Sequence, residues 1–263
     1  MKSHIVGTTN YLLIDISNSF TKLAFATRRR ILDPVRIPTD KFTSATLGRF
    51  VRRHSPRRVR PGADKIDNIF VVCSVVPRKN DVVRKTAPGS RILWLTPQVQ
   101  LGVGIDYPNP KKIGADRLAN AAAVAAIYGC PAIVVDFGTA VTFDIVSAQR
   151  KYIGGVIAPG LESMTNFLYQ RTALLPKLSL QEPRSAVGRS TIEAMRSGAV
   201  IGYRGLVREI IAKITAERFP RKKVHVIATG GYADLIAARL HEIDAVHPNL
   251  TLEGLRIVAN LNF

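Results

Sequence analysis

One stretch of this 263-residue chain occurs twice. Leu13-Ile14-Asp15-Ile16-Ser17-Asn18-Ser19-Phe20-Thr21-Lys22 aligns without gaps on Val134-Val135-Asp136-Phe137-Gly138-Thr139-Ala140-Val141-Thr142-Phe143. Each copy is an apolar run closed by an Asp, a turn of small residues and a second strand-like run. Two hairpins can look alike by chance, but each copy also opens its own series of three strands, 11–15, 22–26 and 34–37 in one case and 132–136, 141–146 and 152–158 in the other. A chain that restarts in this way is expected to build two related α/β units, each burying its own strands under its own helices.

The segments between the strands fit that plan. Phe42, Leu47, Phe50 and Val51 fall near helical spacing, with Thr39 or Asp40 available as a cap. Residues 54–64 read as a loop, 69–73 as a buried strand, then a short helix and a strand at 91–95. The Ala-rich segment 115–128 has no internal Gly or Pro and predicts a helix. Further helices are expected at 160–171, 190–217, 233–240 and 252–261, with a strand at 224–228. The restart places the boundary between the units near 128, so the expected domains are 1–128 and 129–263, with room for the last helix to pack back on the first.

Composition narrows the function classes. Hydrophobic residues make up 46% of the chain, enough for packed cores and too many for a disordered basic tail. No apolar run of signal-peptide length precedes Asp15, and the nearly uncharged stretch 119–135 is too short to span a bilayer, so a cytoplasmic protein without membrane association is expected. The two cysteines, Cys73 and Cys130, cannot build a disulfide framework or a four-ligand zinc site and are expected as buried reduced thiols. The 38 Lys and Arg against 19 Asp and Glu give a formal charge of +19, which points toward a polyanionic partner. Twelve of those bases lie in residues 22–61 against two acids, Asp33 and Asp40. No aromatic residue interrupts the Arg-rich stretch 52–60, so any nucleic acid would be held by non-specific charge and not by base stacking.

A strand-end Asp followed by a turn of small residues suits phosphate chemistry. Small side chains let backbone N–H groups approach phosphate oxygens, hydroxyls add donors, and the Asp can hold a neutralising cation. The turn Thr229-Gly230-Gly231 repeats the theme between a strand and a helix. Between the two copies, Asp106-Tyr107-Pro108-Asn109-Pro110 and Lys111-Lys112-Ile113-Gly114 lead into the Ala-rich helix, whose first turn holds Asp116 and Arg117. Asp116 is open to two readings, an acid that complements the helix dipole or a catalytic carboxylate. Arg117 opposes the dipole there, which favours recognition of an anionic substrate.

These motifs resemble those of type III pantothenate kinases, in the same order along nearly the whole chain. The set is Asp15-Ile16-Ser17-Asn18-Ser19, Tyr107-Pro108-Asn109-Pro110, Gly114-Ala115-Asp116-Arg117, Asp136-Phe137-Gly138-Thr139-Ala140, the glycine-rich run 154–160, Gly188-Arg189-Ser190-Thr191 and Thr229-Gly230-Gly231. The resemblance implies the acetate and sugar kinase, Hsp70 and actin fold: two duplicated actin-like (ribonuclease H-like) halves with mixed sheets flanked by helices and an ATP cleft between them. It implies Mg-ATP and a monovalent cation, K⁺ or NH₄⁺, as cofactors, and phosphorylation of pantothenate to 4′-phosphopantothenate, the first step of coenzyme A biosynthesis.

By the same resemblance, Asp15, Ile16, Ser17, Asn18, Ser19, Phe20, Thr21 and Lys22 form the first phosphate loop, and Thr139 contacts ATP in the second. Asp116 is the proton acceptor for the pantothenate hydroxyl. Tyr107, Gly114, Ala115, Asp116 and Arg117 line the pantothenate pocket, and Asp136 is the monovalent-cation ligand. Thr191 reaches the substrate of a neighbouring subunit, which implies a homodimer. One departure stands out: Ser17 occupies a position where the family has glycine, which leaves open a catalytically weak homologue acting as a regulatory or nucleic-acid-binding accessory protein.

Overall fold

The all-apolar run Tyr11–Ile14 is too hydrophobic for an edge strand, and it becomes the centre of a sheet. The computed structural model describes residues 11–54, 69–86 and 88–263. Strands β1 (Tyr11–Ile16), β2 (Phe20–Ala26), β3 (Ile31–Pro38), β4 (Ile69–Ser74) and β5 (Ile92–Trp94) form one sheet in the order β3-β2-β1-β4-β5. β1 runs antiparallel to β2 and parallel to β4. Leu12, Ile14 and Ile16 leave one face of β1 and pack with Phe25, Phe70 and Val72 under Leu47, Phe50 and Val51 of helix α1 (Ser44–His54). Short helix α2 (Asn80–Thr86) adds Val83 to the same cluster. Truncating one of these buried side chains to Ala costs about 2–5 kcal/mol.

The element order continues with β6 (Gly104–Ile105) and α3 (Ala115–Ile127), and then the plan repeats. Strands β7 (Ala132–Phe137), β8 (Ala140–Val146), β9 (Lys151–Pro159), β10 (His225–Gly230) and β11 (Ala245–Val246) are laid out as β9-β8-β7-β10-β11, the same arrangement as the first sheet. β7 is antiparallel to β8 and parallel to β10, as β1 is to β2 and β4. Ile133, Val135 and Phe137, the counterparts of Leu12, Ile14 and Ile16, pack under Val200, Tyr203, Val207 and Ile211 of the long helix α5 (Thr191–Arg218). Helices α4 (Leu161–Arg171) and α6 (Ala233–Ala237) complete this core, and α7 (Leu250–Asn262) packs on β1 and β4. One compact unit therefore runs to Ala126 and takes back Leu250–Phe263, while Ile127–Asn249 form the other.

Four local expectations need correction. The repeat is not gapless: β2 begins four residues after β1 ends, but β8 begins three residues after β7 ends. The burial patterns of β2 and β8 coincide only when the second hairpin is shifted by that one residue, so Lys22 is equivalent to Thr142 and not to Phe143. Thr39 and Asp40 do not cap α1. They head a separate 3₁₀ turn, and Thr43 and Thr46 exchange hydrogen bonds at the start of α1 instead. His54 belongs to α1, where its ring stacks on Phe50 at 4.5 Å, and the rest of the expected loop lies outside the described residues. Cys73 is buried as expected, but Cys130 is only half-buried.

Candidate active site

In the first unit, Asp15 is the next-to-last residue of β1, 3% exposed, and its side chain projects from the face opposite Ile14 and Ile16. Lys22 stands directly across from Asp15 in the antiparallel register, so an acid and a base share one face beside the turn. The turn is tied down along its length. The Ser17 amide donates to Phe20 O at 3.2 Å, the Thr39 hydroxyl donates to Ser17 O at 2.7 Å, and the Thr39 amide donates to Ser19 O at 3.0 Å. The Thr39 hydroxyl also meets that of Thr21 at 3.0 Å, in a fully buried contact. Asn18 and Ser19 remain exposed at the tip, and the Arg36 guanidinium covers the Phe20 ring. Thr39 is thus the scaffold of the loop, a role its sequence position does not suggest.

The substrate-loop motif forms its own cluster. Residues Pro110–Lys112 make a single 3₁₀ turn, and Gly114 accepts from the amides of Arg117 and Leu118 as α3 begins. The Asp116 carboxylate folds back to accept from the Arg117 amide at 2.8 Å. A Cβ at position 114 would lie 2.5 Å from that carboxylate oxygen, so glycine here is a requirement of Asp116's orientation. The two readings of Asp116 are therefore compatible: the helix start holds and stabilises the anion while leaving the carboxyl group half-exposed. Tyr107 is exposed in the loop ahead of it.

In the second unit, Asp136 is the next-to-last residue of β7, half-buried on the face opposite Val135 and Phe137. The Gly138 amide donates to Ala140 O at 3.1 Å, and the exposed Thr139 offers its carbonyl to the Gly160 amide at 3.1 Å and the Ser163 hydroxyl at 2.8 Å. Thr229 pairs with Asp136 in the parallel register, which puts both side chains on one face. The third turn then bends sharply away: Gly230 has φ +95°, and a Cβ there would stand 2.6 Å from Asp136 Oδ1. The Thr229 hydroxyl is fully buried with no hydrogen-bond partner among the described residues. A buried unpaired hydroxyl is costly, and beside a carboxylate it forms a donor set that suits a bound cation.

Thr191 lies on a different element from these loops, as the exposed first residue of α5. Ser190 caps that helix by accepting from the Glu193 amide, and Glu193 accepts in turn from the Arg189 amide at 2.8 Å. The loop before it is anchored by Arg204, which sequence reasoning passed over. Arg204 is 6% exposed, forms a two-pronged pair with Glu182 at 3.0 and 2.6 Å, and donates to the carbonyls of Leu235 and Ile236. Its hydrogen bonds hold the Glu182 carboxyl below its ordinary pKa, although Glu182 remains partly exposed. The signal was available: Val200, Arg204, Val207 and Ile211 recur at helical spacing, so an arginine occupies the buried stripe.

The same five-strand order in both units, with an Asp next to the end of each repeated strand β1 and β7 and a small-residue turn beyond it, defines a duplicated actin-like fold. Solved structures share the fold. An ethanolamine utilization protein EutJ from Carboxydothermus hydrogenoformans superposes with a TM-score of 0.54 at 14% identity, covering 96% of this chain and 91% of that one. The (R)-2-hydroxyglutaryl-CoA dehydratase component A of Acidaminococcus fermentans gives 0.51 at 13% identity, with 96% of each chain covered.

Within that class the chain belongs to the type III pantothenate kinase family, whose model matches residues 11–213. It is 49% identical over 258 residues to a type III pantothenate kinase of Akkermansia muciniphila, covering 96% of this chain and 99% of that protein. A second, from Methylacidiphilum infernorum, is 42% identical over 250 residues, covering 95% and 88%.

Proposed function

We propose that the protein transfers the γ-phosphoryl group of ATP to the hydroxyl of pantothenate, giving 4′-phosphopantothenate, the first intermediate toward coenzyme A. The observation that carries this reading is the intact Gly114-Ala115-Asp116-Arg117 cluster, with its carboxylate already oriented, in a chain that aligns with the family over nearly its full length. Phosphoryl transfer passes through a loose transition state, so catalysis is mainly positioning and charge neutralisation. Asp116 accepts a hydrogen bond from the pantothenate hydroxyl and takes its proton late in the transfer. Arg117, Tyr107, Gly114 and Ala115 hold the substrate around it.

Asp15 through Lys22 and Thr139 serve the nucleotide phosphates in this proposal. Among the described residues, no cluster of three or more His, Cys, Asp and Glu side chains gathers to hold a metal ion. Asp15 is the residue assigned to the Mg²⁺ that would neutralise the phosphates. Asp136, with the Thr229 hydroxyl beside it, would hold the monovalent cation, K⁺ or NH₄⁺.

A homodimer in which Thr191 completes the neighbouring site belongs to the same reading. It is supported by large apolar side chains left exposed around α4 and the start of α5: Leu174 at 90%, Val187 at 78%, Ile157 at 64% and Phe167 at 58%. Among the described residues no helix is long and apolar enough to cross a membrane, and the reaction is assigned to the cytoplasm, where ATP is available. The non-catalytic alternative drew on Ser17, and the backbone at Ser17 is not in the left-handed region that would demand glycine.

The direct experiment incubates purified protein with Mg-ATP, K⁺ and pantothenate and detects 4′-phosphopantothenate by mass. Product formation is expected, and its absence at saturating substrate overturns the assignment. Sedimentation of the same preparation should give twice the chain mass; a monomer would remove the role given to Thr191.

A further inference from the structure

We infer that Ser17, at a place where the family has glycine, is a positioning residue for the nucleotide. The inference rests on the assignment of Asp15 to Mg-ATP made above. The Ser17 hydroxyl donates to Asp15 Oδ1 at 3.0 Å. Its geometry is not incidental, because the backbone of the same residue is pinned on both sides: the amide to Phe20 O and the carbonyl by the Thr39 hydroxyl. A backbone fixed in this way limits the Ser17 Oγ to a few staggered positions, and the one it takes reaches Asp15. The acceptor is equally confined, since Asp15 is 3% exposed at the end of a strand paired on both edges.

A short side-chain donor to a carboxylate does two things. It selects one rotamer of Asp15, and it stabilises the ionised form that a divalent cation needs. The second unit shows what its absence looks like. Gly138, at the same place after Asp136, has no side chain with which to reach its carboxylate, although a Cβ there would lie only 3.8 Å from Asp136 Oδ1. The first loop thus has a hydroxyl contact that the second lacks, and Ser17 sets how the Asp15 carboxylate meets the metal–nucleotide complex. Because it acts through Asp15, its removal should weaken nucleotide binding and leave turnover of bound substrate nearly intact.

The test is a series at one position, Ser17→Thr, Ser17→Ala and Ser17→Gly, with Asp15→Asn as the reference. Mg-ATP affinity is measured by calorimetric titration of the full chain, KM and kcat are measured separately, and thermal unfolding is recorded for each variant. Ser17→Ala and Ser17→Gly should both bind Mg-ATP about tenfold more weakly, with KM rising and kcat within about twofold of the parent, while Ser17→Thr keeps most of the affinity. Unfolding temperatures should stay close to the parent's, which separates lost positioning from lost folding. Parental affinity in Ser17→Ala and Ser17→Gly, beside a marked loss in Asp15→Asn, overturns the inference about Ser17 alone. A kcat that falls while affinity holds overturns it too. Parental affinity in Asp15→Asn removes the nucleotide assignment of Asp15, and the role of Ser17 with it.

Discussion

The two hairpins that begin the two halves share a topology and a terminal Asp, and differ in how the chain turns after it. After β1 the turn is one residue longer, is held by Thr39 from the end of β3, and carries a serine bonded to its own Asp15. After β7 the turn is tighter, carries glycine, and meets a further glycine turn at 229–231 that closes over Asp136. Burial follows the same division, with Asp15 almost fully enclosed and Asp136 only half-buried. A duplicated frame has thus been fitted with two kinds of loop. In one the carboxylate accepts from a side-chain hydroxyl, in the other a glycine backbone approaches it closely.

Asp116 marks the largest asymmetry, since the proposed proton acceptor belongs to the first half. Asp116→Asn should lower kcat by about 10²–10⁴-fold and leave Mg-ATP affinity at the parental level, as read by single-turnover kinetics and calorimetry. Near-normal turnover would return Asp116 to a purely structural role at the start of α3. Gly230→Ala tests the backbone approach of the second half. At φ +95° and 2.6 Å from Asp136 Oδ1, the added Cβ is strained and displaces the carboxylate, so a loss of about 1–3 kcal/mol in denaturant unfolding is expected. Asp136→Asn keeps the shape and removes the charge. The K⁺ concentration giving half-maximal rate should rise about tenfold, corresponding to roughly 1.4 kcal/mol, with the rate at saturating K⁺ largely restored.

Most of this frame was legible in the sequence, for a physical reason. Four-residue apolar runs stopped by an acid have few places to go except the middle of a sheet, so both Asp-bearing strands and the duplication could be read directly. The register past the turn could not. Ser17, Asn18 and Ser19 on one side and Gly138, Thr139 and Ala140 on the other are all small, and nothing among them marks where a residue is missing. The apparent match of Thr21 with Thr142 then concealed the one-residue shift that places Lys22 opposite Asp15. Thr39 was beyond reach for a different reason, because its partners lie 18 to 22 residues earlier and meet it only once β3 has folded beside β2. The doubt raised by Ser17 rests on family pattern alone, and the contact of its hydroxyl with Asp15 is a side-chain geometry no sequence displays.

The smallest expected effect is the most specific to the comparison. Gly138→Ser introduces into the second turn the residue that the first turn uses. A Cβ at position 138 would lie 3.4 Å from Ala140 O and 3.8 Å from Asp136 Oδ1, ordinary contact distances, and Gly138 has no positive φ to forbid it. Stability should therefore change by no more than about 0.5 kcal/mol in denaturant unfolding. The turn here is one residue shorter, and Gly160, whose amide bonds Thr139 O as the Thr39 amide bonds Ser19 O, has no hydroxyl to pin the turn further, so the new hydroxyl should lack the fixed placement that Ser17 has. Mg-ATP affinity and K⁺ activation should consequently stay within about twofold of the parent. A marked gain in either would mean that a hydroxyl beside the strand-end Asp is sufficient by itself. The pinning by Thr39 would then not be what distinguishes the two halves.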